Sequence, residues 1–263
     1  MIATDQLNRK IEFNFPPKRI ISLVPSQSEL LWDLGLQQEL VGITKFCVHP
    51  KEMFSSVKRI GGTKTIKLDE IKKLAPDLII ANKEENQQEQ IEELCKHFPV
   101  YISNIFTIQD ALQMIEQIGL ICNRENAAKH IVRKITEQHT RFINKNDRNE
   151  MRVAYLIWRN PYMVAGSANF INYMLSVCKL KNVFANHKGR YPEIHIEELQ
   201  KEKPDVVLLS SEPYPFKEKH IQELQTHLPH AKIILVDGEM FSWYGSRMLY
   251  AFNYFSSIES LIG

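Results

Sequence analysis

A chain of 263 residues, 44% hydrophobic and 24% charged, can bury one large core or two small ones and stay in solution. Its net charge of +2 and the lack of a basic stripe with interleaved aromatics argue against a nucleic-acid partner. No apolar run approaches the roughly 18 residues that a bilayer span needs.

Met1 to Lys10 is polar, with neither the apolar centre of a signal peptide nor a cysteine that could carry a lipid. Two readings stay open: a cytoplasmic chain, or one whose leader is absent from this sequence. Arg19 to Val24 is a β-branched run that reads as a buried strand ending at Pro25-Ser26. Ser26 then suits a helix N-cap, with Glu29 three residues on as its capping-box partner and Gly35 as the stop. Leu40 to Ile43 is a second strand, and Gly61-Gly62 a loop. Asp69 to Leu74 is a short helix, stopped because the residue before Pro76 avoids helical geometry. Asp77 to Ala81 and Val100 to Ile102 read as strands around a helix from Glu85 to His97.

The segment from Asn123 to Lys145 has no proline or glycine. Its apolar positions Ala127, Ile131, Ile135 and Phe142 follow helical spacing with one gap, which predicts a single long helix. At ~1.5 Å per residue it would run about 35 Å, the width of a small domain. Beyond it, Arg152 to Trp158, Val206 to Ser210 and Lys232 to Val236 read as strands. Ala168 to Cys178, Glu197 to Lys201, Phe216 to Leu228 and Ser246 to Leu261 read as helices. This alternation predicts an α/β fold with mostly parallel sheets covered on both faces. The predicted division is residues 1–122 for an N-terminal lobe, 123–147 for a connecting helix and 148–263 for a C-terminal lobe.

The two halves also repeat one another. Leu68-Asp69-Glu70-Ile71 to Pro76-Asp77-Leu78 is echoed by Ile196-Glu197-Glu198-Leu199 to Pro204-Asp205-Val206 at a spacing of 128 residues. Two similar halves suggest two similar lobes with a ligand cleft between them.

No nucleophile-elbow, phosphate-loop, zincin or dinucleotide-binding motif is present, so no catalytic set is assigned. The nine histidines are not paired at ligand spacing, and no metal site is assigned. Cys47, Cys95, Cys122 and Cys178 lack Cys-x-x-Cys spacing; buried thiols are favoured over two disulfides. Chemistry is left to loops at the carboxyl ends of strands, where open α/β sheets place ligands. There stand Ser26 on a helix start, Phe46 and His49, Trp158, Arg159 and Tyr162, and then Phe241 and Trp243. Aromatic faces with an arginine suit a large, flat, partly anionic ligand. Asp69 and Glu197, in the first turn of equivalent helices, are favoured there by the helix dipole, which by itself would account for them. A second reading makes them sockets for arginines of a two-fold partner.

The ordered set Arg19 to Ser26, Glu29, Leu40-Val41-Gly42, Pro50, Leu68 to Ile80, Gly166-Ser167, Asn182-Val183-Phe184, Tyr191-Pro192, Pro204-Asp205 and Ser246-Arg247 resembles the class III periplasmic binding proteins of ABC importers. Each motif is weak alone; order and spacing together are specific across nearly the whole chain. The resemblance implies two α/β lobes joined by one long helix, and a cobalamin, haem or iron–siderophore ligand between them. The cobalamin-binding branch is the nearest match. It also implies that Asp69 and Glu197, with Glu70 and Glu198 beside them, dock arginines of a membrane permease dimer that works with its ATPase. Phe46 and Tyr191 fall where that branch packs aromatic rings on the corrin, while Thr63 and Asn82 replace two of its tryptophans, and Trp158 and Arg159 are additions. The implied protein is a monomeric carrier in the periplasm or cell envelope that holds no cofactor of its own, its metal arriving inside the chelate. The rival reading is a cytoplasmic corrinoid- or metal-cofactor-binding protein, or an enzyme, on the same fold.

Overall fold

A computed structural model describes residues 1–147 and 149–262. Residue 148, where the second lobe was expected to begin, lies outside the described residues. The chain divides into two compact units. One holds Met1–Ile135 with Tyr244–Arg247; the other holds Thr136–Trp243 and the chain from Met248 onward.

The first unit opens with an antiparallel pair, β1 (Ile2–Thr4) and β2 (Lys10–Glu12), which the sequence reading did not find. There follow β3 (Ile20–Ser22), α1 (Pro25–Asp33), β4 (Leu40–Ile43), α2 (Lys51–Ser56), β5 (Lys58–Arg59), α3 (Leu68–Leu74), β6 (Leu78–Asn82), α4 (Gln88–Cys95), β7 (Val100–Ser103) and α5 (Ile108–Ile121). The sheet runs β5-β4-β3-β6-β7, every pairing parallel. β3, β6 and β7 are buried at every residue, which explains why their sequences are runs rather than alternations. Ile71 of α3 and Ile91 and Leu94 of α4 pack with Ile21, Ile79 and Ile102 from the sheet.

Two expectations about α1 are corrected. Its N-cap is Val24, Pro25 takes the first helical position, and Ser26 is already inside the helix. Glu29 therefore does not stand at the capping-box position; its carboxylate receives the Arg247 guanidinium, Nε to Oε2 at 2.9 Å and Nη2 to Oε1 at 2.6 Å. Gly35 does end the helix, at φ +80°. Tyr244–Arg247 is the short return of the chain to this unit. Gly245, at φ +126°, makes the return possible: a Cβ there would stand 3.1 Å from the Ser26 carbonyl oxygen.

The long segment is one helix, begun two residues later than the expected Asn123. α5 ends at Ile121, Asn123 turns left-handed at φ 56°, and α6 spans Glu125–Lys145. The buried stripe is Ala128, Ile131, Ile135 and Phe142, so Ala128 replaces Ala127 as its first member. α6 belongs to the first unit through Ile135 and to the second from Thr136.

The second unit contains β8 (Met151–Trp158), β9 (Tyr162–Val164), α7 (Phe170–Val177), β10 (Leu180–Asn182), β11 (Glu193–Ile194), α8 (Ile196–Glu202), β12 (Val206–Ser210), α9 (Glu218–His227), β13 (Lys232–Val236), α10 (Gly238–Ser242) and α11 (Met248–Ile262). Its sheet runs β11-β9-β8-β12-β13, with β10 also pairing β8. The β8, β10, β12 and β13 pairings are parallel; β9 is antiparallel to β8 and β11. Trp158 to Tyr162 is thus a hairpin connection, with Asn160 left-handed at φ 61°. Phe142, Phe252 and Phe255 form an aromatic cluster with ring centroids about 6 Å apart. Three cysteines are buried, Cys95 is exposed, and none of the four is in a disulfide.

The repeat has a physical basis in each unit. Both α3 and α8 end in a left-handed residue before proline, Ala75 at φ 43° and Lys203 at φ 45°. Asp77 accepts the amides of Lys18 and Arg19 at 2.7 and 2.9 Å, and the Arg19 guanidinium reaches the Leu74 carbonyl at 2.7 and 2.9 Å. Asp205 accepts the Arg152 amide at 2.8 Å, and Arg152 Nη2 reaches the Glu202 carbonyl at 2.6 Å. In both, an arginine at a strand start satisfies a carbonyl that the end of the short helix leaves unpaired.

Candidate functional site

In the first unit the loop after β4 carries an accessible aromatic. Thr44 and Cys47 are fully buried, and Phe46 between them is 50% exposed. Thr44 Oγ1 lies 3.1 Å from Cys47 Sγ, which in turn lies 3.1 Å from Ser28 Oγ. The Phe46 amide meets Thr44 Oγ1 at 3.3 Å, and its carbonyl accepts from the Val48 amide at 2.9 Å. The ring is exposed while its backbone is held on both sides. His49 is half-buried in the same loop. Ser26 is 3% exposed on the first turn of α1, beside the fully buried Gln27 and Ser28. Asn82 is buried, and its side chain closes the turn after β6: Oδ1 accepts the amides of Glu84 and Glu85 at 2.8 and 3.1 Å. Nδ2 donates to Ser103 Oγ at 2.9 Å.

In the second unit Trp158 ends β8, is 39% exposed, and meets Tyr214 edge-on at 5.7 Å between centroids. Tyr214 packs on Phe216 and His220. Arg159 beside it is paired inside the unit through Nη2, while its buried Nε has no hydrogen-bond partner among the described residues. Its Nη2 reaches both Glu223 carboxylate oxygens, at 2.6 and 2.7 Å, and the Tyr162 hydroxyl donates to Glu223 Oε1 at 3.1 Å. The hydrogen bond from Arg159 holds the Glu223 carboxyl below the usual carboxylate range, and the same bond raises the guanidinium. Tyr191 is half-buried.

The two aromatics assigned after β13 are corrected. Phe241 is fully buried, packed against Tyr155 at 5.2 Å and Phe255 at 4.7 Å, so its ring is a core element and offers no open face. Trp243 is 7% exposed, and its Nε1 donates to Glu212 Oε1 at 2.9 Å. Burial, first, raises the Glu212 carboxyl above the usual range; Glu239 and Asp237 add to this, and bonds from Ser242 and Trp243 oppose it.

The sequence pattern of the periplasmic binding proteins matches residues 20–232. The chain belongs to this family. A vitamin B12-binding protein of Vibrio parahaemolyticus is 30% identical over 200 residues, covering 75% of this chain and 72% of that relative. Among solved structures, the periplasmic vitamin B12-binding protein of Vibrio cholerae superposes with TM-score 0.80 at 23% identity, covering 95% of this chain and 99% of that one. A periplasmic heme-binding protein from Roseiflexus superposes with TM-score 0.82 at 18% identity, over 94% and 99% of the two chains. These two likenesses establish the α/β fold.

The four acids expected at a docking face of this binding protein differ in their surroundings. Asp69 and Glu70 are the second and third residues of α3, and Glu197 and Glu198 hold the same places in α8. Glu70 pairs with Lys73 at 3.0 Å and Lys58 at 3.5 Å, and its carboxyl is lowered, chiefly by the Lys73 hydrogen bond. Glu198 turns back to accept the His195 amide at 2.8 Å. Asp69 and Glu197 are exposed, and neither forms an ion pair among the described residues.

Residues that the sequence reading missed are Tyr214, Glu212 and Glu223. Tyr214 had a signal, an aromatic between Pro213 and Pro215 just after a buried strand. Glu223 had none, because its partner Arg159 is 64 residues away. Among the described residues no cluster of three or more His, Cys, Asp or Glu could hold a metal ion, and no helix is long and apolar enough to cross a membrane.

Proposed function

We propose that this chain is the substrate-binding component of an ABC importer, acting in the periplasm or cell envelope. It captures a corrinoid, cobalamin first, and delivers it to a membrane permease served by an ATPase. The observation that carries this reading is a solvent-open aromatic ring at the carboxyl end of a strand in each unit, Phe46 in the loop that follows β4 and Trp158 as the last residue of β8. Such rings stack on a large flat ligand without a change of fold, which keeps the ordering cost low. The similarity to vitamin B12-binding proteins supports a corrinoid over other chelates. His49 in the first unit and Tyr191 in the second, both half-buried, are the further contacts of this reading. The chelate brings its own metal, and the reading assigns the chain no covalent chemistry. Delivery falls to Asp69 and Glu197, the exposed pair at equivalent helix starts, which present carboxylates to arginines of a two-fold permease.

Absorbance titration with cyanocobalamin, haemin and a ferric hydroxamate tests the ligand. Cyanocobalamin saturates at one equivalent in this reading. Covering the exposed half of Phe46 contributes on the order of 1 kcal/mol, so Phe46→Ala weakens binding about fivefold, and Trp158→Ala by a similar factor. Both variants keep the parent circular dichroism spectrum. Affinities left unchanged by both substitutions would overturn the assignment of the rings, and saturation by haemin or the ferric hydroxamate alone would overturn the corrinoid.

A further inference from the structure

Two cations stand directly beside the exposed aromatics, Lys45 next to Phe46 and Arg159 next to Trp158. They are not equivalent. Arg159 is neutralised by two short bonds to Glu223. An anion arriving there would have to displace a carboxylate whose two oxygens already share Nη2. The Lys45 ammonium has a single interaction among the described residues, with the Phe46 ring, 5.0 Å from its centroid. It carries an uncompensated charge held over an aromatic face.

The arrangement is built by the loop beneath it. The Lys45 amide donates to the Gly61 carbonyl at 2.8 Å, joining the two loops. A Cβ on Gly62 would lie 3.2 Å from Phe46 Cε2 and 3.5 Å from Lys45 Cε. Gly62 does not have a left-handed backbone, so what glycine supplies here is room: both side chains lie across the same bare stretch of backbone.

We propose that Lys45 is the charge-recognition residue of this binding protein, pairing with an anionic group on the ligand whose flat face covers Phe46. For a corrinoid, that group is the phosphodiester of its nucleotide loop. The inference rests on the corrinoid reading above and adds to it a preference for the complete, phosphate-bearing ligand over a truncated one.

The test compares cyanocobalamin with dicyanocobinamide, which keeps the corrin ring but lacks the phosphodiester and the base. Each is titrated by absorbance into the unaltered chain, Lys45→Ala and Lys45→Arg. Lys45→Ala weakens cyanocobalamin about tenfold, the scale of one charge-assisted contact, and leaves dicyanocobinamide within twofold. Lys45→Arg restores most of the loss. Raising the salt concentration reproduces the selective loss in the unaltered chain and has no further effect in Lys45→Ala. Equal weakening of both corrinoids by Lys45→Ala would show that Lys45 only supports the Phe46 ring, overturning the phosphate assignment while leaving the corrinoid reading intact. Failure of the unaltered chain to bind either corrinoid would overturn both.

Discussion

Replacing Arg247 by alanine removes one half of the best-formed ion pair in the first unit. The Arg247 and Glu29 side chains are only 12% and 10% exposed. The two bonds between them are parallel and use separate carboxylate oxygens, the geometry in which a guanidinium gains most. Truncating one partner of a buried pair costs roughly 3–5 kcal/mol, because the other charge stays buried without compensation. The residual exposure and the other contacts of Glu29 reduce this to about 2–3 kcal/mol. For a chain of this size that lowers the melting temperature by on the order of 5–10 °C. Thermal and urea unfolding followed by circular dichroism measure the loss. The mechanism makes a second demand. If the cost comes from a stranded carboxylate, adding Glu29→Gln to Arg247→Ala recovers part of it. A single variant that loses less than about 1 kcal/mol, or a double variant no more stable than the single, would refute this account.

Gly119→Ala in α5 destabilises by about 1–3 kcal/mol, although alanine is the better helix former by nearly 1 kcal/mol, because the added Cβ would stand 2.3 Å from the Ala128 Cβ of α6. Thermal unfolding that shows Gly119→Ala to be stabilised would sink the close-packing argument. Glu212 is a carboxyl raised in the folded state, so its contribution to stability is present below the ordinary carboxylate range and is lost as pH rises through its folded value. Glu212→Gln keeps an acceptor for Trp243 and Ser242, and its stability relative to the parent therefore increases from pH 4 to pH 7. Urea midpoints at the two values check the sign, and a difference that is flat with pH counts against it. Asp69→Arg combined with Glu197→Arg abolishes corrinoid uptake by cells carrying the permease while leaving the cyanocobalamin titration unchanged. Uptake that survives the double change would remove these acids from the docking face.

Leu40–Ile43, Val206–Ser210 and Lys232–Val236 were legible residue by residue; Val206–Ser210, buried at every position, shows why, since a strand covered on both faces writes its burial as an apolar run. The 128-residue repeat was legible for a related reason. A left-handed helix end before proline, followed by an aspartate that accepts strand-start amides, is local chemistry, and each unit states it in consecutive residues. α5 was missed although Thr107 and Asp110 form a full capping box at its start. β9, β10 and β11 are too short for their two or three residues to carry a period.

Sequence by itself therefore determined the α/β class, the order of the long elements, the equivalent acids of α3 and α8, and the family. What it left open was the employment of each polar and aromatic side chain. Phe46 and Phe241 are the same residue type, each a few residues past a strand, one in a loop and one in the short helix α10; one is half-exposed and the other has no exposure at all. Glu29 looked like a capping residue and is an arginine's counter-ion from 218 positions away. Arg159 looked available to a ligand and is held by Glu223, while Lys45, one of many lysines in the sequence, has no counter-ion among the described residues. Burial and charge compensation are set by neighbours that only the folded chain brings together, and no local pattern of residues records them.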